Sequence, residues 1–191
     1  LEHIMPKLEE LYNTRVRHYV VKKHTLLVCE QFEKYAFAFD NKCMNMDLMR
    51  LVLAIHDIGK AIDRSTQHEH TLSLVRELWE NTPFNKHELY LVEVLLRDDH
   101  LGSYFQNKYD LSDLKEEIVA DATELKMSPS ILLQYKMILY QCDIASYTKD
   151  AGGLKYLEHM FVYENGEKAF DEDNGIIAMS EEYADRYVNL K

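Results

Sequence analysis

Residues 46–60 read Met-Asp-Leu-Met-Arg-Leu-Val-Leu-Ala-Ile-His-Asp-Ile-Gly-Lys, an apolar segment that runs into a histidine–aspartate pair. Apolar residues recur in it at helical spacing and predict one buried helix face: Leu48, Leu51, Val52 and Ile55. Gly59 predicts the end of this helix. His56 and Asp57 are therefore expected in its last turn, half inside a core, where an imidazole and a carboxylate suit a divalent ion such as Mn²⁺ or Fe²⁺.

Two adjacent side chains do not hold a metal alone, and two other predicted helices offer further ligands. His24 falls on the apolar stripe of a helix predicted over 15–39, so it can point at the axis of a helical bundle. Asp143 lies in a long apolar helix predicted over 129–148. Because an unpaired buried carboxylate is costly, an aspartate on such a face implies a partner or a metal.

Taken in order, His24, the pair His56-Asp57, and Asp143 give the pattern H…HD…D, which resembles the HD-domain superfamily of metal-dependent phosphohydrolases. The resemblance covers about residues 18–148 and is most specific at HDIGK, where the glycine and Lys60 also match. It implies one divalent ion (Mn, Fe or Mg) held by the four ligands, a second ion being an alternative. It also implies a metal-activated water that attacks a phosphate ester.

The resemblance also suggests roles for residues outside the four ligands. Lys60 is expected to reach a phosphate oxygen, although a lysine near a helix C-terminus is also favourable through the helix dipole alone. Asp57 is expected to orient the attacking water as well as to bind the metal. The small phosphorylated substrate would be a nucleotide or one of its cyclic or oligomeric forms, and no residue identifies its base or sugar.

Three further histidines are candidates for a second metal or for the substrate phosphate: His68, His70 and His100. His68 is favoured over His70, since it would lie nearer the metal-binding helix; the alternative is a polar loop that enters a helix. His100 and Asp99 are expected at the C-terminal end of another helix, with Asp99 as a base or water-orienting group. The alternative there is a solvated helix end.

The chain lacks the His-His and Gly-Tyr-Pro signature of the HD-GYP subfamily, so one metal is our first expectation. Two rival functions remain open. A diiron HD-type oxygenase would need the extra histidines as ligands, and two bound irons would distinguish it. A non-catalytic HD sensor or interaction module would have a structural or vestigial site, but the intact HD ligands argue against it.

Composition limits the other classes of function. The net charge of −11 argues against a broad surface for duplex nucleic acid, whereas a small phosphorylated substrate is compatible because a bound cation reverses the local field. The sequence contains no run of about 18 apolar residues, so it predicts no membrane-spanning helix. Three unpatterned cysteines, Cys29, Cys43 and Cys142, favour reduced thiols in a cytoplasm. The chain starts at Leu1 and not at an initiator Met, which suggests a processed or truncated start or an expression remnant. We see no signal peptide in it.

Few glycines and prolines, 6 and 3 in 191 residues, favour an all-α fold. We expect one HD-type domain over 1–191, a helical bundle with a core at about 18–148 and a C-terminal extension at about 149–191. Residues 161–170 predict a small β-hairpin around Asn165-Gly166. Helices are predicted over 4–13, 15–39, 46–58, 69–80, 85–97, 112–125, 129–148 and 179–189.

Overall fold

The computed structural model describes residues 5–39, 44–148 and 155–191. Within these ranges the chain is mostly helical, which confirms the predicted all-α class. The α-helices are α1 (Lys7–Asn13), α2 (Val21–Phe39), α3 (Met46–Ile55), α4 (Gln67–Trp79), α5 (Lys86–Leu96), α6 (His100–Phe105), α7 (Leu111–Glu124), α8 (Pro129–Ala145) and α9 (Glu181–Leu190). Short 3₁₀ helices span Ile58–Ala61 and Lys155–Met160.

Short antiparallel strands complete the described structure. They pair as β1 (Arg15–Val16) with β2 (Tyr19–Val20), β3 (Tyr163–Glu164) with β4 (Glu167–Lys168), and β5 (Phe170–Asp171) with β6 (Ile176–Ile177). Asn165 and Gly166 connect β3 to β4 with φ angles of 53° and 84°. These left-handed conformations suit an Asn-Gly turn, so the predicted C-terminal hairpin is confirmed.

The chain divides into two compact units. The first contains the described residues of Leu1–Cys29 and Asp47–Asp98, and the second those of Glu30–Met46 and Asp99–Lys191. The expected single HD-type domain stays a prediction.

In the first unit, α3 buries the face that its sequence predicts. Leu48, Leu51, Val52 and Ile55 are all at most 9% exposed. The 3₁₀ helix that follows α3 packs against α4, which also contacts α5. At this contact the backbone N–H of Gly59 donates to the Thr71 hydroxyl at 3.1 Å, so Gly59 lies in a helix junction.

Two predicted helix boundaries in the first unit were wrong. The helix predicted over 15–39 begins only at Val21, because the preceding residues form the β1–β2 hairpin. Arg17 turns this hairpin with φ 53°, a conformation that a helix excludes. The helix predicted over 46–58 ends at Ile55, so His56 and Asp57 lie in a turn after α3.

In the second unit, the expectation that His100 lies at a helix C-terminus was wrong. His100 is the first residue of α6, and Gly102 lies inside that helix. The Asp99 carboxylate accepts a hydrogen bond from the Gly102 N–H at 3.1 Å. Asp99 is therefore an N-cap, which is a common position for aspartate.

Two expectations from composition concern the chain as a whole. Among the described residues, no helix combines the length and the apolar character that crossing a bilayer requires. Neither Cys29 nor Cys142 takes part in a disulfide within those residues, and Cys43 lies outside them.

Candidate metal centre

Two elements of the first unit bring together His24, His56 and Asp57. His24 lies in the first turns of α2, on its buried face, and is 2% exposed. His56 and Asp57 occupy the turn between α3 and the 3₁₀ helix, and each of their side chains is 7% exposed. A helix that stops at Ile55 thus leaves the histidine–aspartate pair in a tight turn beside α2.

The three side chains have the spacing of a metal-binding group. His24 Nε2 lies 3.3 Å from Asp57 Oδ2, and His56 Nε2 lies 3.7 Å from Asp57 Oδ1. One ligand atom from each residue lies within 4.8 Å of the others. Two imidazole nitrogens and a carboxylate oxygen are a donor set that fits Mn²⁺, Fe²⁺ or Zn²⁺, so the residues present fit a divalent ion.

A hydrogen bond to the backbone fixes the tautomer of His56. Its Nδ1 lies 2.8 Å from the carbonyl oxygen of Leu53, a distance at which the ring N–H donates to that oxygen. In the neutral ring the lone pair is then on Nε2, the atom that faces Asp57. Histidine ligands of metals commonly have such a second hydrogen bond, which orients the ring.

A lysine ammonium and two imidazoles surround the Asp57 carboxylate. The Lys60 Nζ lies 2.5 Å from Oδ1, and the lysine side chain is 19% exposed. Burial by itself raises the pKa of Asp57. His56, His24 and Lys60 outweigh burial and hold the pKa of Asp57 well below its usual range. The carboxylate is therefore ionised and ready to bind a cation.

Tyr19 is a member of this site that the sequence reasoning missed. Its hydroxyl donates to Asp57 Oδ2 at 3.2 Å, and its ring centroid lies 5.1 Å from that of His24. In a continuous helix, residues five positions apart lie on different faces, so the helix predicted over 15–39 separated Tyr19 from His24. The β1–β2 hairpin brings the two rings together instead.

His68 and His70 lie in the first turn of α4, in the same unit. His68 Nδ1 is 2.9 Å from the carbonyl oxygen of Leu96, and its Nε2 is 3.3 Å from the Gln67 amide nitrogen. Both ring nitrogens of His68 thus have protein neighbours, while His70 is half-buried. Their assignment to a second metal or to the substrate phosphate stays a prediction.

Asp143 belongs to the second unit. It lies near the end of α8 and is half-buried, and the hydroxyl of Ser146 donates to its backbone carbonyl. Its assignment as a fourth metal ligand stays a prediction.

His100 takes part in a separate polar cluster of the second unit. Its Nδ1 lies 2.6 Å from the Glu117 carboxylate, and its ring stacks on Tyr109 at 4.2 Å. The other oxygen of Glu117 accepts from Lys136 Nζ at 3.2 Å, and Lys136 is only 6% exposed although it lies in the apolar α8. Glu117 therefore balances a buried lysine and orients His100, while Asp99 caps α6 nearby in the chain.

We expect Glu117→Ala to lower the free energy of unfolding by about 3 kcal/mol, because removal of one partner of a buried ion pair leaves the other charge uncompensated. The double variant Glu117→Leu with Lys136→Met should recover most of this loss, since it removes both charges and fills the space with apolar groups. Urea unfolding monitored by circular dichroism measures both values. Glu116→Ala, at the exposed neighbouring position of α7, is the matched control and should be close to wild type.

Comparison with known proteins gave no match for this chain. No family model matches it, and no curated protein or solved structure does either. The resemblance to the HD-domain superfamily therefore rests on the residues of this chain alone.

Proposed function

We propose that this protein is a metal-dependent phosphohydrolase whose divalent ion is held by His24, His56 and Asp57. The observation that carries the proposal is a buried, ionised carboxylate between two imidazoles, with a lysine ammonium beside it. A carboxylate removed from water in this way is costly unless cations compensate it. A folded protein that keeps this arrangement has a site suited to a cation and to an anionic substrate.

A divalent ion bound there would act as a Lewis acid toward phosphoryl oxygens and make a water molecule more acidic. His56 presents the lone pair of Nε2 to the site because its Nδ1–H donates a hydrogen bond to the carbonyl oxygen of Leu53. Asp57 supplies negative charge next to both histidines and can accept a hydrogen bond from an attacking water. These groups come from one turn and one helix, so the fold fixes their spacing before any ligand arrives.

Lys60 is the group that we assign to the phosphate. Its ammonium pairs with Asp57 in the structure. Once Asp57 is neutralised by a bound ion, Lys60 becomes available to a phosphoryl oxygen, and its flexible side chain permits that change. A small phosphate ester can pair with the Lys60 ammonium even though the chain has a net charge of −11. Nucleotides are the first class of substrate to test.

The test is elemental analysis of the purified protein together with hydrolysis of a bis-aryl phosphate, an aryl phosphate monoester and a nucleotide panel. We expect about one Mn or Fe per chain, loss of hydrolysis after chelation, and recovery with Mn²⁺. Lys60→Met should keep the metal but lower kcat/KM by about 100-fold, the cost of removing one group that stabilises transition-state charge.

The alternatives give different results in the same experiment. Two irons per chain with a coloured protein and no hydrolysis would indicate an oxygenase and contradict the proposal. A protein that takes up no Mn²⁺, Fe²⁺ or Mg²⁺ and cleaves no substrate would indicate a non-catalytic module. Equal activity of wild type and Lys60→Met would remove Lys60 from the catalytic group.

A further inference from the structure

Tyr19 approaches the metal-binding group from outside its helices. It lies in β2, two residues before the start of α2, in a hairpin whose register pairs it with Val16. The residue is half-buried, and its ring is tilted by 56° against that of His24. The hairpin thus places a phenol at the edge of a site in which Asp57 is buried and Lys60 is partly exposed.

The Tyr19 hydroxyl reaches one particular oxygen of Asp57. It donates to Oδ2 at 3.2 Å, the same oxygen that lies 3.3 Å from His24 Nε2. Lys60 and His56 instead lie next to Oδ1. The two oxygens of this carboxylate therefore have separate neighbours: a phenol and an imidazole at Oδ2, an ammonium and an imidazole at Oδ1.

Metal binding would change the hydrogen bonding at Oδ2. A histidine nitrogen that ligates a cation offers its lone pair and carries no proton. His24 Nε2 then has no hydrogen to donate to Asp57, whereas the Tyr19 hydroxyl keeps its own. Tyr19 is thus a donor to Oδ2 whose hydrogen remains available when the histidines ligate the ion.

We propose that Tyr19 is a positioning residue that holds the Asp57 carboxylate in the orientation required for the divalent ion. The inference rests on the metal site of the proposed function. Ligating carboxylates are commonly fixed by hydrogen bonds from neighbouring groups, and loss of such a partner typically weakens metal binding. Tyr19 acts through Asp57 and is not itself assigned to the substrate.

The experiment compares Tyr19→Phe with the wild type by calorimetric titration of the metal-free proteins with Mn²⁺. Phenylalanine keeps the ring that packs on His24 and removes only the hydroxyl. We expect the Kd for Mn²⁺ to rise by about 10-fold. The Mn²⁺ concentration that half-activates hydrolysis should rise in parallel, while kcat at saturating Mn²⁺ stays close to the wild-type value.

Tyr12→Phe is the matched control in the same unit. The Tyr12 hydroxyl donates to the carbonyl oxygen of Ala54 at 2.6 Å, so this variant removes the hydroxyl of a buried tyrosine that is hydrogen-bonded to the backbone. Its Mn²⁺ affinity should equal that of the wild type. Unfolding midpoints of both variants show whether either loss of hydroxyl acts through stability.

Two results would overturn the inference: an unchanged Kd in Tyr19→Phe, whether or not kcat falls, or an equal loss of affinity in Tyr12→Phe. Failure of the proposed function has a different signature. A wild type that binds Mn²⁺ but hydrolyses no phosphate ester would contradict the hydrolase, and a weaker Kd in Tyr19→Phe would still support the positioning role.

Discussion

Asp57→Asn should abolish tight metal binding and lower kcat/KM about 10³-fold, since a bound ion contributes several kcal/mol of transition-state stabilisation and each 1.36 kcal/mol is tenfold in rate. Asparagine keeps the shape of the side chain but carries no charge. It therefore removes the anion that faces both imidazoles and Lys60. Elemental analysis and steady-state kinetics at saturating Mn²⁺ measure the two effects.

Asp47→Asn is the control for the loss of one carboxylate. Asp47 lies in the first turn of α3, and its side chain is 79% exposed in a pair with Arg50. Exposed pairs contribute little to stability, so this variant should bind Mn²⁺ and hydrolyse substrate as the wild type does. A metal content of Asp57→Asn equal to that of Asp47→Asn would remove Asp57 from the ligand set.

Helical periodicity predicted the parts of this fold that are long and amphipathic. The buried face of α3 follows from residues spaced three and four apart, because those positions share one side of a helix. The Asn165-Gly166 turn was equally predictable, since both residues tolerate positive φ. Helix context placed His24 on a buried face, and the structure brings its Nε2 to 3.3 Å from Asp57 Oδ2, a tertiary contact that periodicity alone does not specify.

The β1–β2 hairpin shows why Tyr19 could not be found in this way. Each strand has only two residues, and Arg17 and His18 at the turn lack the Asn-Gly or Gly-rich signal of a hairpin. Apolar residues on both sides of it continued the helical pattern of α2. A local pattern therefore predicted helix where the backbone forms a turn.

The buried charge of α8 illustrates a second limit. Asp143 was singled out because it is an acidic residue in an apolar helix. The structure leaves Asp143 half-buried and buries Lys136 instead. The partner of Lys136 is Glu117, 19 residues away on α7. Nothing in the local sequence of Glu117 distinguishes it from the exposed glutamate beside it, so only tertiary structure identifies the pair.

We expect Gly59→Ala to destabilise the fold of the first unit strongly. A Cβ at this position would lie 2.0 Å from the backbone oxygen of Gln67 and 2.6 Å from the Thr71 hydroxyl. Because the nearest atom belongs to the backbone, a rotamer change does not relieve the overlap, and the 3₁₀ helix has to move away from α4. We expect a loss of about 3 kcal/mol or more, equivalent to a fall in Tm of roughly 10 °C.

Gly166→Ala separates this steric effect from the general cost of replacing a glycine. Gly166 has φ 84°, but nothing lies within 4 Å of a Cβ there, so its substitution should cost only about 1 kcal/mol of backbone strain. Thermal unfolding by circular dichroism ranks the two variants. Movement of the 3₁₀ helix would also displace Lys60, next to Gly59, and Asp57, which precedes this helix. Gly59→Ala should therefore bind Mn²⁺ more weakly, while Gly166→Ala binds it normally. Equal melting of the two variants would show that the junction between the 3₁₀ helix and α4 tolerates a methyl group, and would contradict its role in fixing the candidate metal site.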